Sequence, residues 1–103
     1  MGIILDGINL EKKIKIVRLC KAIIPEARIY LYGSRARGKF SETSDIDLAL
    51  EASKPISYYD IAELKDILEA SNIGYAFDIV DINSIIDSKF KAAITKEMIL
   101  WTE

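Results

Sequence analysis

Asp45, Asp47 and Asp78 are the residues whose types and spacing point most directly to chemistry. Asp45 and Asp47 stand two apart in Asp45-Ile46-Asp47-Leu48-Ala49-Leu50, where Asp45, Asp47 and Ala49 alternate with Ile46, Leu48 and Leu50. That period belongs to a strand, so both carboxylates leave one face at its start, close enough to repel unless a cation lies between them. Asp78, in Phe77-Asp78-Ile79-Val80-Asp81, opens another apolar run and points at the same spot if the two strands are neighbours. Asp81 is its rival by residue type, but a strand turns Asp81 to the opposite face. Convergent carboxylates in a chain without histidine suit a hard, oxygen-seeking ion such as Mg²⁺.

A phosphate site belongs beside such a centre. Gly33-Ser34 ends the run Arg28-Ile29-Tyr30-Leu31-Tyr32, and glycine there lets backbone N–H groups approach an anion while the serine hydroxyl adds a donor. Of the cations that follow, Arg37 is the candidate for a further phosphate contact. Arg35 and Lys39 fit a solvated loop equally well. Residues 33–39 also match the opening Gly-x-x-x-x-Gly-Lys of a P-loop, but Phe40 stands where that motif needs Ser or Thr to hold Mg²⁺. Metal on one side and phosphate on the other is the arrangement nucleotidyl transfer requires.

The elements that position these groups can be read from the same sequence. Leu10, Ile14, Val17 and Ile24, widened by Ile16, Cys20 and Ile23, predict a helix over 10–24 that Pro25 stops. Strands are predicted over 28–32, 45–50 and 75–82. Ser57 followed by Asp60 caps a second helix with the stripe Ile61, Leu64, Ile67 and Leu68, and Tyr58 and Tyr59 read as packing at its start. A helix over 88–97 follows, and Ile99-Leu100-Trp101 is either a short edge strand or that helix's end. The order implies an α/β (α+β) domain spanning 1–103: one mixed sheet of three to four strands covered by helices.

Composition narrows the chemistry further. The 103 residues include 50% hydrophobic ones, enough for one core, and no histidine, which excludes an imidazole base or ligand. A single cysteine, Cys20, lies in an apolar helical stretch and reads as a buried thiol in a reducing cytoplasm. Met1 to Asp6 lack the basic start and long apolar core of a signal peptide, and no apolar run approaches the roughly 18 residues of a membrane span, so a soluble cytoplasmic protein is expected. The net charge of −2 conceals a division: residues 1–40 carry nine basic and three acidic groups, residues 41–87 two and eleven. The glycine-serine loop lies in the basic part and the three carboxylates in the acidic part. Lys12, Lys13, Lys15, Arg18 and Lys21 read as the wet side of the first helix rather than a nucleic-acid face.

Gly33-Ser34, ten residues, then Asp45-Ile46-Asp47 resembles the signature of the DNA polymerase β-like nucleotidyltransferase superfamily. The stretch from Gly33 to Leu50 looks specifically like its minimal nucleotidyltransferase (MNT) family. The resemblance implies that Asp45 and Asp47 hold two Mg²⁺ ions, that Gly33 and Ser34 grip the terminal phosphates of ATP, and that Asp78 binds the catalytic metal and helps deprotonate the acceptor hydroxyl. It further implies a HEPN-domain toxin as partner, with this chain as antitoxin transferring AMP to a tyrosine hydroxyl of that toxin. The family's usual Gly before the last apolar residues is Met98 here. Two alternatives stand beside this expectation. A binding module would neutralise its partner by contact alone, surviving loss of Asp45 and Asp47; a small-molecule transferase would act without any protein partner, although 103 residues leave no room for an acceptor domain.

Overall fold

The computed structural model describes residues 6–102, so the expectation about a leader, made on Met1 to Asp6, lies outside the described residues in all but its last position. Helix α1 (Leu10–Ile23) starts at Asn9, whose side chain accepts the Lys12 N–H, and ends as Ile24 leaves helical geometry ahead of Pro25. Its buried line is Ile16 and Cys20, continued by Ile24, whereas Leu10 and Ile14 are 69% and 44% exposed. The apolar stripe is therefore rotated from the Leu10–Ile14 line that the spacing suggests. Those two side chains instead line a groove of about 490 Å³ with Val17, Leu100 and Trp101.

Strand β1 (Arg28–Tyr32) runs into a one-turn helix, α2 (Gly33–Ala36), where the sequence reads as a tight loop. Strand β2 (Ile46–Glu51) follows, starting one residue after Asp45, and helix α3 (Tyr58–Ala70) is capped by Ser57 accepting the Asp60 N–H. Strand β3 (Phe77–Asp81) is shorter at both ends than the 75–82 expected: Tyr75 lies in a bend before it, and Ile82–Ser84 turn into a 3₁₀ helix after it. Helix α4 (Ser88–Glu97), capped by Asp87, leads into the two-residue edge strand β4 (Ile99–Leu100). The sheet order is β3-β2-β1-β4, with β1 antiparallel to β2 and β4, and β2 parallel to β3.

Alternation along the strands sorts side chains onto two faces. Ile29, Leu31, Ile46, Leu48, Leu50, Phe77 and Ile79 form the main core with Ile16 and Cys20 of α1 and Leu64 and Leu68 of α3. Each such buried Leu, Ile or Phe contributes about 1.5–3 kcal/mol relative to exposure. Burial pushes the Cys20 thiol up to about 12. The opposite face carries a smaller cluster, Tyr32, Ala49 and Ile82 against Ile94 of α4. Trp101 packs on the main core, its backbone N–H donating to the Ile29 carbonyl and the Lys13 ammonium lying 5.5 Å from its ring centre. Tyr58 and Tyr59 do not pack at the start of α3: both rings are about four-fifths exposed and meet edge to face. Among the described residues no helix is long and apolar enough to cross a membrane.

Candidate active site

Parallel pairing sets Asp47 directly beside Asp78, and antiparallel pairing sets Tyr32 beside Asp47 on the other side. Three adjacent strands thus present Tyr32, Asp47 and Asp78 in one row on the face that α4 only partly covers, at the roughly 4.8 Å spacing of neighbouring strands. Asp45 precedes the row at the mouth of β2. Asp47 is half-buried, while Asp45 and Asp78 are exposed. Burial, then the negative charges of Asp78 and Asp45, pushes the Asp47 carboxyl up to about 6; Arg37 opposes this and Glu97 adds to it. The Tyr32 hydroxyl donates to Asp78 Oδ2 at 3.1 Å, and burial followed by the Asp78 charge raises the phenol above its ordinary range.

Gly33 has φ +79°, and a Cβ built on it would overlap the Asp47 carboxylate. Both the backbone conformation and the contact therefore strain any other residue. Its N–H donates to Glu97 Oε2 at 2.7 Å. Arg37, exposed, bonds the same carboxylate, with Nη1 2.9 Å from Oε1.

Arg35 is neither a phosphate contact nor a solvated side chain. It is 2% exposed, between the rings of Phe40 and Tyr75, each centred 4.8 Å from the guanidinium carbon. Its Nε and Nη2 donate to the Ser44 carbonyl at 3.1 and 2.9 Å, Nη2 reaches the Ser41 and Glu42 carbonyls at 3.3 Å, and Nη1 donates to the Asp6 carbonyl at 2.8 Å. The planar fork gathers the 41–44 turn immediately ahead of Asp45, which an ammonium could not do. Lys39 is exposed, its backbone N–H bonded to the Ser34 carbonyl.

Asp81 is occupied structurally: its carboxylate accepts from the Ile56 and Asn83 N–H groups and the Ser84 hydroxyl at 2.7–3.0 Å. That leaves Asp78 as the acidic residue of β3 on the Asp47 face. Among the described residues, no three Asp, Glu, His or Cys side chains are already gathered as an ion cage. The donor chemistry nevertheless fits a hard divalent cation, since three carboxylates supply oxygen ligands and burial together with the charges of Asp78 and Asp45 raises Asp47. Tyr32 and Glu97 are the neighbours of the candidate site that sequence spacing does not reveal. Tyr32 looks like ordinary strand packing, and Glu97 is 64 residues from Gly33.

This fold is that of a nucleotidyltransferase domain. The chain belongs to the polymerase β nucleotidyltransferase family, which it matches over residues 11–103. A Methanocaldococcus jannaschii relative named as a protein adenylyltransferase is 34% identical over 89 residues, covering 82% of this chain and 90% of that protein. Another, named as the protein adenylyltransferase MntA of Haemophilus influenzae, is 27% identical over 63 residues, 61% of this chain and 55% of that protein. This chain thus spans about half the length of the latter. Among solved structures, a toxin–antitoxin with AMP-PNP is 28% identical with TM-score 0.76, covering 87% of this chain and 72% of that one. The MNT antitoxin bound to tri-AMPylated HEPN toxin of Shewanella oneidensis is 26% identical with TM-score 0.70, covering 89% and 70%.

Proposed function

We propose that this chain transfers AMP from ATP, with Mg²⁺, to a tyrosine hydroxyl of a HEPN-domain toxin and is that toxin's antitoxin. The observation that carries the reading is the register of β2 and β3, which sets Asp47 beside Asp78, with the Gly33 turn packed against the Asp47 carboxylate. The names of the relatives support the reaction class, and the solved complexes support the nucleotide and the partner.

In this reading Asp45, Asp47 and Asp78 would hold two Mg²⁺ ions. When bound, they supply charge neutralisation at the α-phosphate and acidify the attacking hydroxyl. The Gly33 N–H, the Ser34 hydroxyl and Arg37 hold the β- and γ-phosphates, so that pyrophosphate departs toward the donors that already bind it. Asp78 accepts the proton of the incoming tyrosine hydroxyl, from the position where the Tyr32 hydroxyl now donates to it. Arg35 does no chemistry; it fixes the turn from which Asp45 projects. The chain supplies the nucleotide half of the site, and the acceptor arrives on the partner.

The test is incubation with α-labelled ATP, Mg²⁺ and the HEPN-domain protein encoded beside it. Label should appear on a tyrosine of that protein and vanish with Asp47→Asn. Undiminished labelling by that variant refutes the assignment of the site.

A further inference from the structure

Glu97 is the last residue of α4, where free carbonyls carry partial negative charge and an acidic side chain is disfavoured. Nothing in the helix itself calls for a carboxylate there. What holds it lies across the molecule. Oε2 accepts the Gly33 N–H at 2.7 Å and reaches Arg37 Nη1 at 3.2 Å, while Oε1 accepts from the same Nη1 at 2.9 Å. The Glu97 side chain is 22% exposed and borders solvent, so it can swing away without unpacking the core. Glu97 also adds to the negative charge that raises Asp47.

Two of the donors assigned above to the terminal phosphates are therefore both engaged by one internal anion. We propose that Glu97 is a built-in competitor of the nucleotide: its carboxylate fills the seat of the terminal phosphates, and a triphosphate must displace it to bind. The inference rests on the proposed reading of Gly33 and Arg37 as phosphate donors. A polyphosphate carries more charge and more oxygens than a carboxylate and wins the seat once Mg²⁺ accompanies it. AMP lacks the β- and γ-phosphates that belong in that seat and does not compete for it. If the seat is open in about one molecule in ten, apparent affinity for triphosphate is reduced about tenfold, because only the open fraction binds. Glu97 then sets the affinity for the donor and the preference for triphosphate over monophosphate.

The test is calorimetric titration of the full chain and of Glu97→Gln with Mg²⁺ and, separately, inorganic tripolyphosphate, ATP and AMP. The variant should bind tripolyphosphate and ATP about tenfold more tightly and AMP unchanged within twofold. The Gly33 amide resonance of the free variant should move away from its wild-type position, and tripolyphosphate should then shift it at lower concentration. Glu97→Asp, one methylene shorter with its charge kept, should give a smaller gain, which covers the case in which the glutamine variant folds poorly. Unchanged or weaker tripolyphosphate binding by both variants would overturn the proposal, because a mere tie between α4 and the turn predicts no gain. Failure of the wild-type chain and both variants to bind tripolyphosphate at millimolar concentration would overturn it too. Transfer is not read in this experiment. Affinity gained as expected, beside a wild-type chain that fails to label its partner in the separate transfer assay, would support the competition and refute the proposed reaction.

Discussion

Replacing Asp47 by asparagine should make the metal-free protein more stable at neutral pH, by an amount that depends on pH in a defined way. The carboxyl has an ordinary value of 3.8 and sits at about 6 in the fold, raised by burial and by Asp78 and Asp45. Below 3.8 the folded and unfolded chains both hold the proton, and the charge costs nothing. Between 3.8 and about 6 the unfolded chain releases the proton while the folded chain keeps it, so folding stability falls as pH rises. Above that window the full penalty is in force. Unscreened, the difference would amount to about 3 kcal/mol; water reaching one side of this half-buried group reduces it to about 1–1.5 kcal/mol. The asparagine side chain keeps the shape and drops the charge, so Asp47→Asn should gain about 1–1.5 kcal/mol at about pH 7.5, or roughly 5–10 °C in melting temperature, and almost nothing at about pH 4. Urea unfolding of both proteins in chelator across that range measures it. A variant equally or less stable at the upper end of the range, or a gain independent of pH, would refute the electrostatic account. Saturating Mg²⁺ should reverse the order, since the cation stabilises only the chain that keeps the carboxylate.

Three further outcomes follow from particular contacts. Gly33→Ala forces a side chain onto a φ of +79° and into the Asp47 carboxylate, so it should cost at least about 1–2 kcal/mol in thermal unfolding and abolish labelling of the partner. Arg35→Met leaves the Ser44 and Asp6 carbonyls without their donor and should cost about 2–4 kcal/mol, with Arg35→Lys recovering little because one ammonium cannot span both. Cys20, buried and with its thiol pushed up to about 12, should resist iodoacetamide at about pH 8 for as long as the chain stays folded, and react fully in denaturant.

The carboxylates are legible in the sequence because a strand's period is strict. Three-residue spacing separates Asp78 from Asp81 onto opposite faces, whereas Asp45 falls one residue before β2, outside the strand that its two-residue spacing from Asp47 suggests. The same strictness makes three strands of the mixed sheet readable from their apolar runs, while the two-residue β4 is too short to carry a period and stays open between strand and helix end. Helix α1 is harder, since it has more apolar residues than one stripe needs, and only contact with the sheet decides that Ile16 and Cys20 go in while Leu10 and Ile14 stay out. Arg35 is illegible for a different reason: its acceptors are backbone carbonyls, which leave no mark in the sequence. Glu97 depends on a meeting of α4 with α2 that no local pattern encodes.

The register between β2 and β3 has an evolutionary corollary. Main-chain hydrogen bonds, common to every sequence, hold Asp47 abreast of Asp78. Substitutions in α3 or in the loops that join the strands leave that separation untouched, whereas a single insertion within either strand would shift one carboxylate to the wrong face. The register therefore tolerates surface substitution far better than an insertion within β2 or β3. Such a division suits a lineage in which chains 26% and 28% identical to this one still superimpose with TM-scores of 0.70 and 0.76.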